Sequence, residues 1–451
     1  MRKILILMVT MLFITACSTD LDQVPSNAAA SDTLTEYEPV LRAAYGYHFD
    51  AVGPMAIFGD FRSDNALFDE TPFTDFDMFG NNDLTSSMTN DFFKPFYAAL
   101  YKSILSANGV IENSNDATQI GEAKFIRALS YYKLILVFGD VTVNLLATPD
   151  YTDTASLVRQ PKNDVYNNVV IPDLQAAMSA LSSSNAAAAN GRATKNAAQA
   201  LLGKVYAAMG NYTAAAAELN AVISGASAAG ISLQANFADV FGDVNDLNSE
   251  IIFATQISST AGISSSSTDI FTNWYSGANT KADPADGAPI TQDLIDAFAA
   301  STGDARSALT VSGTVSVKYP GSATNQDWIE IRLADVILLY AEALNESTNA
   351  NGTQSASILS LLDPIRTRAG LASLSGTATT QAGVRQAILN ERRLELACEG
   401  HRWFDLVRSD AAQPGLLNAE MEETINSNYH VFPIPNTEVT SFPVIVQNAG
   451  Y

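Results

Sequence analysis

Glu391, Glu395 and Glu399 stand four residues apart in the run Glu391-Arg392-Arg393-Leu394-Glu395-Leu396-Ala397-Cys398-Glu399. On one helix, side chains at that spacing are neighbours, with Cβ atoms about 5–6 Å apart. Distance alone therefore allows Glu391 and Glu395 to act as the acid and base of a glycosidase. Electrostatics offers a second reading. Like charges four apart destabilise a helix, so something must offset them. Arg402 follows Glu399 by three positions, and Arg366 or Arg368 could reach across from another helix. Arg332, Asp335 and Glu342 also sit in an otherwise apolar helical run, and charges removed from water need partners. Paired scaffold ions are the preferred reading at both places.

Other catalytic patterns are missing. The chain has no Ser nucleophile elbow, HExxH, Cys-x-x-Cys, Walker loop or GxGxxG. His48, His401 and His430 are its histidines, and none pairs at metal-ligand spacing. Acids are plentiful, so a carboxylate-only hydrolase stays open. Asp243, Asn245, Asp246, Asn248 and Glu250 loosely resemble an oxygen-rich calcium loop, as do Asp75, Asp77, Asn81 and Asp83. Neither has the full loop spacing. Solvated turns are the preferred reading, and no cofactor is expected. Cys398 lies in a helical pattern and reads as a small core residue.

Residues suited to binding a ligand occur elsewhere. Aromatic rings give large contact area for little entropy, and nearby Asp, Asn and Arg supply hydrogen bonds. Trp274 and Tyr275, flanked by Asn273, form the leading platform, because Trp is scarce here and this one sits in polar sequence. Phe73, Phe76 and Phe79 alternate with Asp75 and Asp77, and Arg62, Asp64 and Asn65 are candidate hydrogen-bond partners. Trp328 and Trp403, the other two tryptophans, are expected in the core.

The elements that must position these residues are mostly helical. Leu100, Ile104, Ala107, Val110 and Ile111 repeat at helical spacing, as do Ala123, Ile126, Leu129 and Leu134. A further helix is expected over 164–181, with Val165, Val169, Leu174, Ala177 and Leu181 inward. Arg192 to Ile223 reads as a helical hairpin: Thr194–Met209, a Gly210-Asn211 turn, then Tyr212–Ile223. Leu202-Gly203, Tyr206, Tyr212, Ala215 and Ala216 resemble a tetratricopeptide repeat. One repeat cannot bury its own face, so neighbouring pairs should stack on it. Two stretches lack this period, about 58–90 and 258–321, and read as long loop-rich insertions, where binding residues tend to lie. A short strand or two is expected near Val311 to Lys318, and helix resumes at Asp327. A mostly α, helical-hairpin scaffold with irregular ligand-binding insertions and a few short strands follows.

The first residues form a leader. Arg2 and Lys3 precede an apolar run from Ile4 to Ile14, which is too short to span a bilayer. Ile14-Thr15-Ala16-Cys17 resembles a bacterial lipobox, which implies cleavage after residue 16 and lipid on Cys17. Residues 17–35 read as a tether, and 36–451 as one domain. The net charge of −23 disfavours nucleic acid, anionic head groups and polyanionic ligands.

Ordered blocks along the chain resemble the SusD/RagB family of nutrient-binding outer-membrane lipoproteins. They are Arg62-Ser63-Asp64-Asn65, Gly121 to Ala128 with Phe138-Gly139-Asp140, Gly191 to Lys195, Ile331 to Ala343, Arg366 to Gly370, Glu391 to Leu406, and Phe432 to Tyr451. Cys398 and Ala449 depart from that pattern. The resemblance implies a cell-surface, lipid-anchored binder without catalytic activity. It also implies oligosaccharide or polysaccharide as ligand, peptide in one branch, and a SusC-like TonB-dependent β-barrel transporter as partner. The acidity favours a neutral glycan such as a β-glucan.

Overall fold

Caps and prolines set many of the helix boundaries. The computed structural model describes residues 36–68, 73–79, 88–150, 152–242, 246–257, 290–319 and 327–451. The leader, Cys17, the tether and Asn273-Trp274-Tyr275 lie outside them. The first helices are α1 (Glu38–Tyr47), α2 (Phe49–Asp60), α3 (Lys94–Asn113) and α4 (Ala117–Phe138). The Asp116 carboxylate caps α4 by accepting from the backbone N–H of Thr118 and Gln119. α3 and α5 (Ile171–Ala180) each follow a π-helical turn, at Thr89–Phe93 and Tyr166–Val170. Pro95 and Pro172 explain this. A proline ring crowds the carbonyl four residues back and offers no N–H, and a widened turn absorbs both defects. Val165, Val169, Leu174, Ala177 and Leu181 all face the core.

The hairpin is α6 (Lys195–Ala208) and α7 (Tyr212–Gly225). Thr194 caps α6 and Asn211 caps α7, with Gly210 at φ +74° in the turn. The helices pack closely at Gly203, where a Cβ would stand 2.6 Å from Leu219. The hairpin does not stand alone. Two further helices, α8 (Gln292–Ala300) and α9 (Leu333–Thr348), precede α10 (Gln381–Glu395) and α11 (Arg402–Ala412). α1, α3, α4, α5, α6, α7, α9 and α10 each pack on the next in that order. This is the stacked helical-hairpin scaffold that the repeat required.

Strands are few and short. β1 (Val141–Thr142) pairs with β2 (Arg159–Gln160), and β3 (Ile251–Thr255) with β6 (Trp328–Arg332), both antiparallel. β4 (Val311–Ser312) and β5 (Val315–Ser316) form the hairpin expected near Val311. Two expectations are corrected. The helix expected from Asp327 begins only at Leu333, because Trp328–Arg332 is a buried strand. The second insertion contains α8, whose Leu294 and Phe298 are buried one turn apart behind a Thr291 cap.

Candidate ligand-binding face

The two insertions are bonded to each other. Ala66 and Ile290 form an antiparallel bridge. The Thr291 backbone N–H donates to the Asn65 carbonyl at 3.1 Å, and its hydroxyl donates to the Asp64 carbonyl at 2.5 Å. Ile290 also donates to the Thr314 carbonyl, which brings the β4–β5 hairpin to the same place. On the other side of the second insertion, the Ile257 N–H donates to Asp327 Oδ1 at 2.7 Å. Burial raises the Asp327 carboxyl to about 7, with nearby Asp246 pushing the same way and the Ile257 bond opposing.

Phe73, Phe76, Phe79, Arg62, Asp64 and Asn65 are part of the first insertion's anchorage, which corrects their assignment as ligand contacts. Phe73, Phe76 and Phe79 are buried. Phe76 stacks on Phe58 and Phe93 and meets Phe432, while Phe79 stacks on Trp403 at 5.6 Å. The spacing of Phe73 and Phe76 suits the 3₁₀ turn Phe73–Asp77, which has three residues per turn and gathers such positions on one face; Phe79 follows the turn at φ +46°. Arg62 is fully buried, with its guanidinium over the rings of Phe432 and Phe79 at 4.5 and 5.1 Å, and it donates to the Tyr451 hydroxyl. Asp64 accepts from Arg402 at 2.7 and 2.6 Å. Burial raises its carboxyl, and Arg402 and Arg393 more than reverse that, leaving it below the ordinary value. Asn65 accepts from Arg393 at 2.9 Å. Asp77 is half-buried, and the side chain of Asp75 lies outside the described residues.

The carboxylate run is consumed by ion pairs. Glu391 meets Arg306 at 2.7 Å and Arg366 at 2.5 Å. Glu395 meets Arg306, Arg332 and Arg368. Glu399 meets Arg332 at 2.7 Å and Lys318 at 2.5 Å. Glu250 and Asp304 complete the cluster, and each carboxylate is matched by a cation. All three glutamates are buried. Burial raises Glu395, but Arg368, Arg332 and Arg306 hold it well below the usual carboxylate range. A glycosidase acid needs the opposite shift and access to a substrate. Arg366 and Arg368 are the partners expected. Arg402 instead goes to Asp64 and Glu420. Nor are the three acids on one helix, since α10 ends at Glu395. The turn after it carries Cys398 at φ +62° and Gly400 at φ +72°. Gly400 presses on Gly59 of α2, where a Cβ would fall 1.9 Å from the Gly400 carbonyl oxygen. Cys398 is buried there, and burial pushes its thiol up to about 12. A second cluster joins Asp335 to Lys204 and Arg392, and Glu342 to Arg408.

The calcium-like segments read as scaffold where they are described. Glu250 is held by Arg332 and Arg368, and the Asn248 amide donates to the Val240 carbonyl. Asp243, Asn245, Asn81 and Asp83 lie outside the described residues. Trp328 and Trp403 are core residues.

Comparison with known proteins agrees with this architecture. A family model described as "SusD family" matches residues 305–451, and one described as "Starch-binding associating with outer membrane" matches 22–207. SusD-like protein P2 of Formosa agariphila is 26% identical over 428 residues, covering 82% of this chain and 83% of that protein. SusD-like protein P25 of the same organism is 28% identical, covering 78% of each. Among solved structures, a laminarin-binding SusD-like protein superposes with a TM-score of 0.70 at 24% identity, over 93% of this chain and 99% of that one. Surface glycan-binding protein A from Bacteroides uniformis gives 0.70 at 18% identity, over 92% and 99%.

Proposed function

Because the chain belongs to the SusD-like family, we propose that it is a non-catalytic glycan-binding lipoprotein. Lipid on Cys17 holds it at the outer face of an outer membrane. There it captures oligosaccharide and passes it to a SusC-like TonB-dependent β-barrel transporter. The observation that supports the binding role is the bridge from Ala66 of the first insertion to Ile290 of the second, beside the Ile257–Asp327 bond that joins the two ends of the second. The charged motif that might have done chemistry is sealed inside the scaffold. Trp274 and Tyr275 supply the stacking platform, and Asn273 a hydroxyl partner.

A neutral glycan fits a protein with a net charge of −23, which repels polyanions. Laminarin is the first probe, since a fold neighbour carries that ligand in its name. Titration calorimetry should give saturable binding without release of new reducing ends. Trp274→Ala should weaken it at least tenfold, about 1.4 kcal/mol, the scale of one lost aromatic platform. Unchanged affinity in that variant, or reducing ends that accumulate with the wild type, would refute the reading.

A further inference from the structure

A cavity of about 390 Å³ opens between the α6–α7 turn and α11. Small-molecule sites begin at roughly 300 Å³, so there is room for one small ring. Its wall carries the hydroxyls of Tyr132, Tyr166 and Tyr212 and the imidazole of His401. None of these side chains has a hydrogen-bond partner among the described residues. Tyr132 and Tyr166 are themselves buried.

The charges in the same wall are already satisfied. Lys204 pairs with Asp335 at 2.6 Å. Arg392 joins Asp335 to Asp405 at 2.9 Å each. Arg408 spans Glu342 and Asp405 at 2.6 and 2.7 Å, and Lys133 meets Glu330 at 2.5 Å. Apart from the exposed Lys162 and the half-buried Asp410, what remains to a guest is uncharged: three phenol hydroxyls, the imidazoles of His401 and His430, and the ring faces beside them. Burial brings His401 down to about 4, so the imidazole is neutral at pH 7 and can donate at one nitrogen and accept at the other. Buried polar groups are normally bonded. A guest or water in the cavity can serve Tyr132, Tyr166, Tyr212 and His401, of which Tyr212 and His401 are half-buried.

We propose that this cavity is a second binding site, taking a single neutral sugar ring or a polyol of that size. Tyr132, Tyr166, Tyr212 and His401 bond its hydroxyl rim, and Phe404 with the tyrosine faces covers its C–H surface. A charged guest is disfavoured, because it would upset ion pairs that already balance. The site shares no residue with the face assigned to Trp274 and Tyr275, so either can fail without the other.

The chain has three histidines, which makes the test local. In mature protein labelled with ¹³C-histidine, glucose, mannose and myo-inositol are titrated against glucuronate and glucosamine. At least one neutral probe should shift the His401 ring signals saturably and leave those of His48 in place. Tyr132→Phe removes an oxygen that has no partner in the protein, so it should fold normally. It should raise Kd about three- to tenfold, the scale of one neutral hydrogen bond. Ala208→Phe, on the cavity wall, should abolish the shift. The proposal is overturned if no neutral probe moves His401, which leaves a cavity for water only. It is equally overturned if the charged sugars bind as tightly, or if both variants respond as the wild type does.

Discussion

Glu395 and Asp327 are both buried carboxylates, and their surroundings drive them in opposite directions. Glu395 sits among Arg306, Arg332 and Arg368 and is held far below its ordinary pKa. Asp327 has one backbone N–H and an acidic neighbour, and rises to about 7. Burial is common to both, so it cannot be the deciding effect. The number of cations within reach decides. In the ionic centre the scaffold has closed every charge. At the root of the second insertion it has left one carboxylate poised near neutrality.

The comparison is broken most severely at Arg332, which donates to Glu250, Glu395 and Glu399 together. Arg332→Met leaves those acids short of a shared cation in the interior. Removing one partner from a buried ion pair typically costs about 3–5 kcal/mol, so the variant should unfold at much lower denaturant or fail to accumulate. Adding Glu395→Gln should recover part of the loss. A loss under about 1 kcal/mol in chemical denaturation would show that the centre is less tightly coupled than its distances indicate.

Legibility in the sequence followed the range of the interaction. The α6–α7 hairpin could be read closely, because caps, turn glycine and small contact residues are all local signals. That Glu391, Glu395 and Glu399 needed arginines was also readable. That Arg306 and Arg332 supply most of them was not, since they lie 85 and 63 residues from their partners. Trp328–Arg332 reads as helix because a short buried strand and a helix start look alike in an apolar run. The Phe73 and Phe76 spacing of three is the signal that they share a buried face, a period distinct from the 3.6 of helix and the 2 of strand. The platform at Trp274 rests on the sequence alone.

The poised carboxylate gives the next largest effect. Below about pH 4 Asp327 is protonated in folded and unfolded chains alike. As pH rises towards 7 the unfolded chain loses the proton and the folded one keeps it. Stability present at low pH is thus lost through the interval from about 4 to 7, by up to about 1.4 kcal/mol per pH unit. Asn keeps the oxygen that accepts from Ile257 and has no charge to bury. Asp327→Asn should therefore match the wild type near pH 4 and exceed it by a few kcal/mol at pH 8. Denaturation curves that stay parallel across that range would contradict the assignment.

Asp64 sharpens the contrast, because it lies at the root of the first insertion yet is paired like the ionic centre. Its folded pKa is lowered, so the sign reverses: its contribution is present above the ordinary carboxylate value and is lost as pH falls through the folded one. Asp64→Asn keeps one acceptor for Arg402, and Arg402 keeps Glu420 at 2.7 Å. The loss at pH 7 should then be small, about 1.5 kcal/mol for a weakened charged hydrogen bond. It should shrink towards zero in acid. Combined with Asp327→Asn, the double variant should show a flatter stability profile on both limbs than the wild type. The two sites have no partner in common, so their effects should add within about 0.5 kcal/mol. Strong non-additivity would mean that the roots of the two insertions are energetically one unit, and that the face they carry is coupled to the scaffold beneath it.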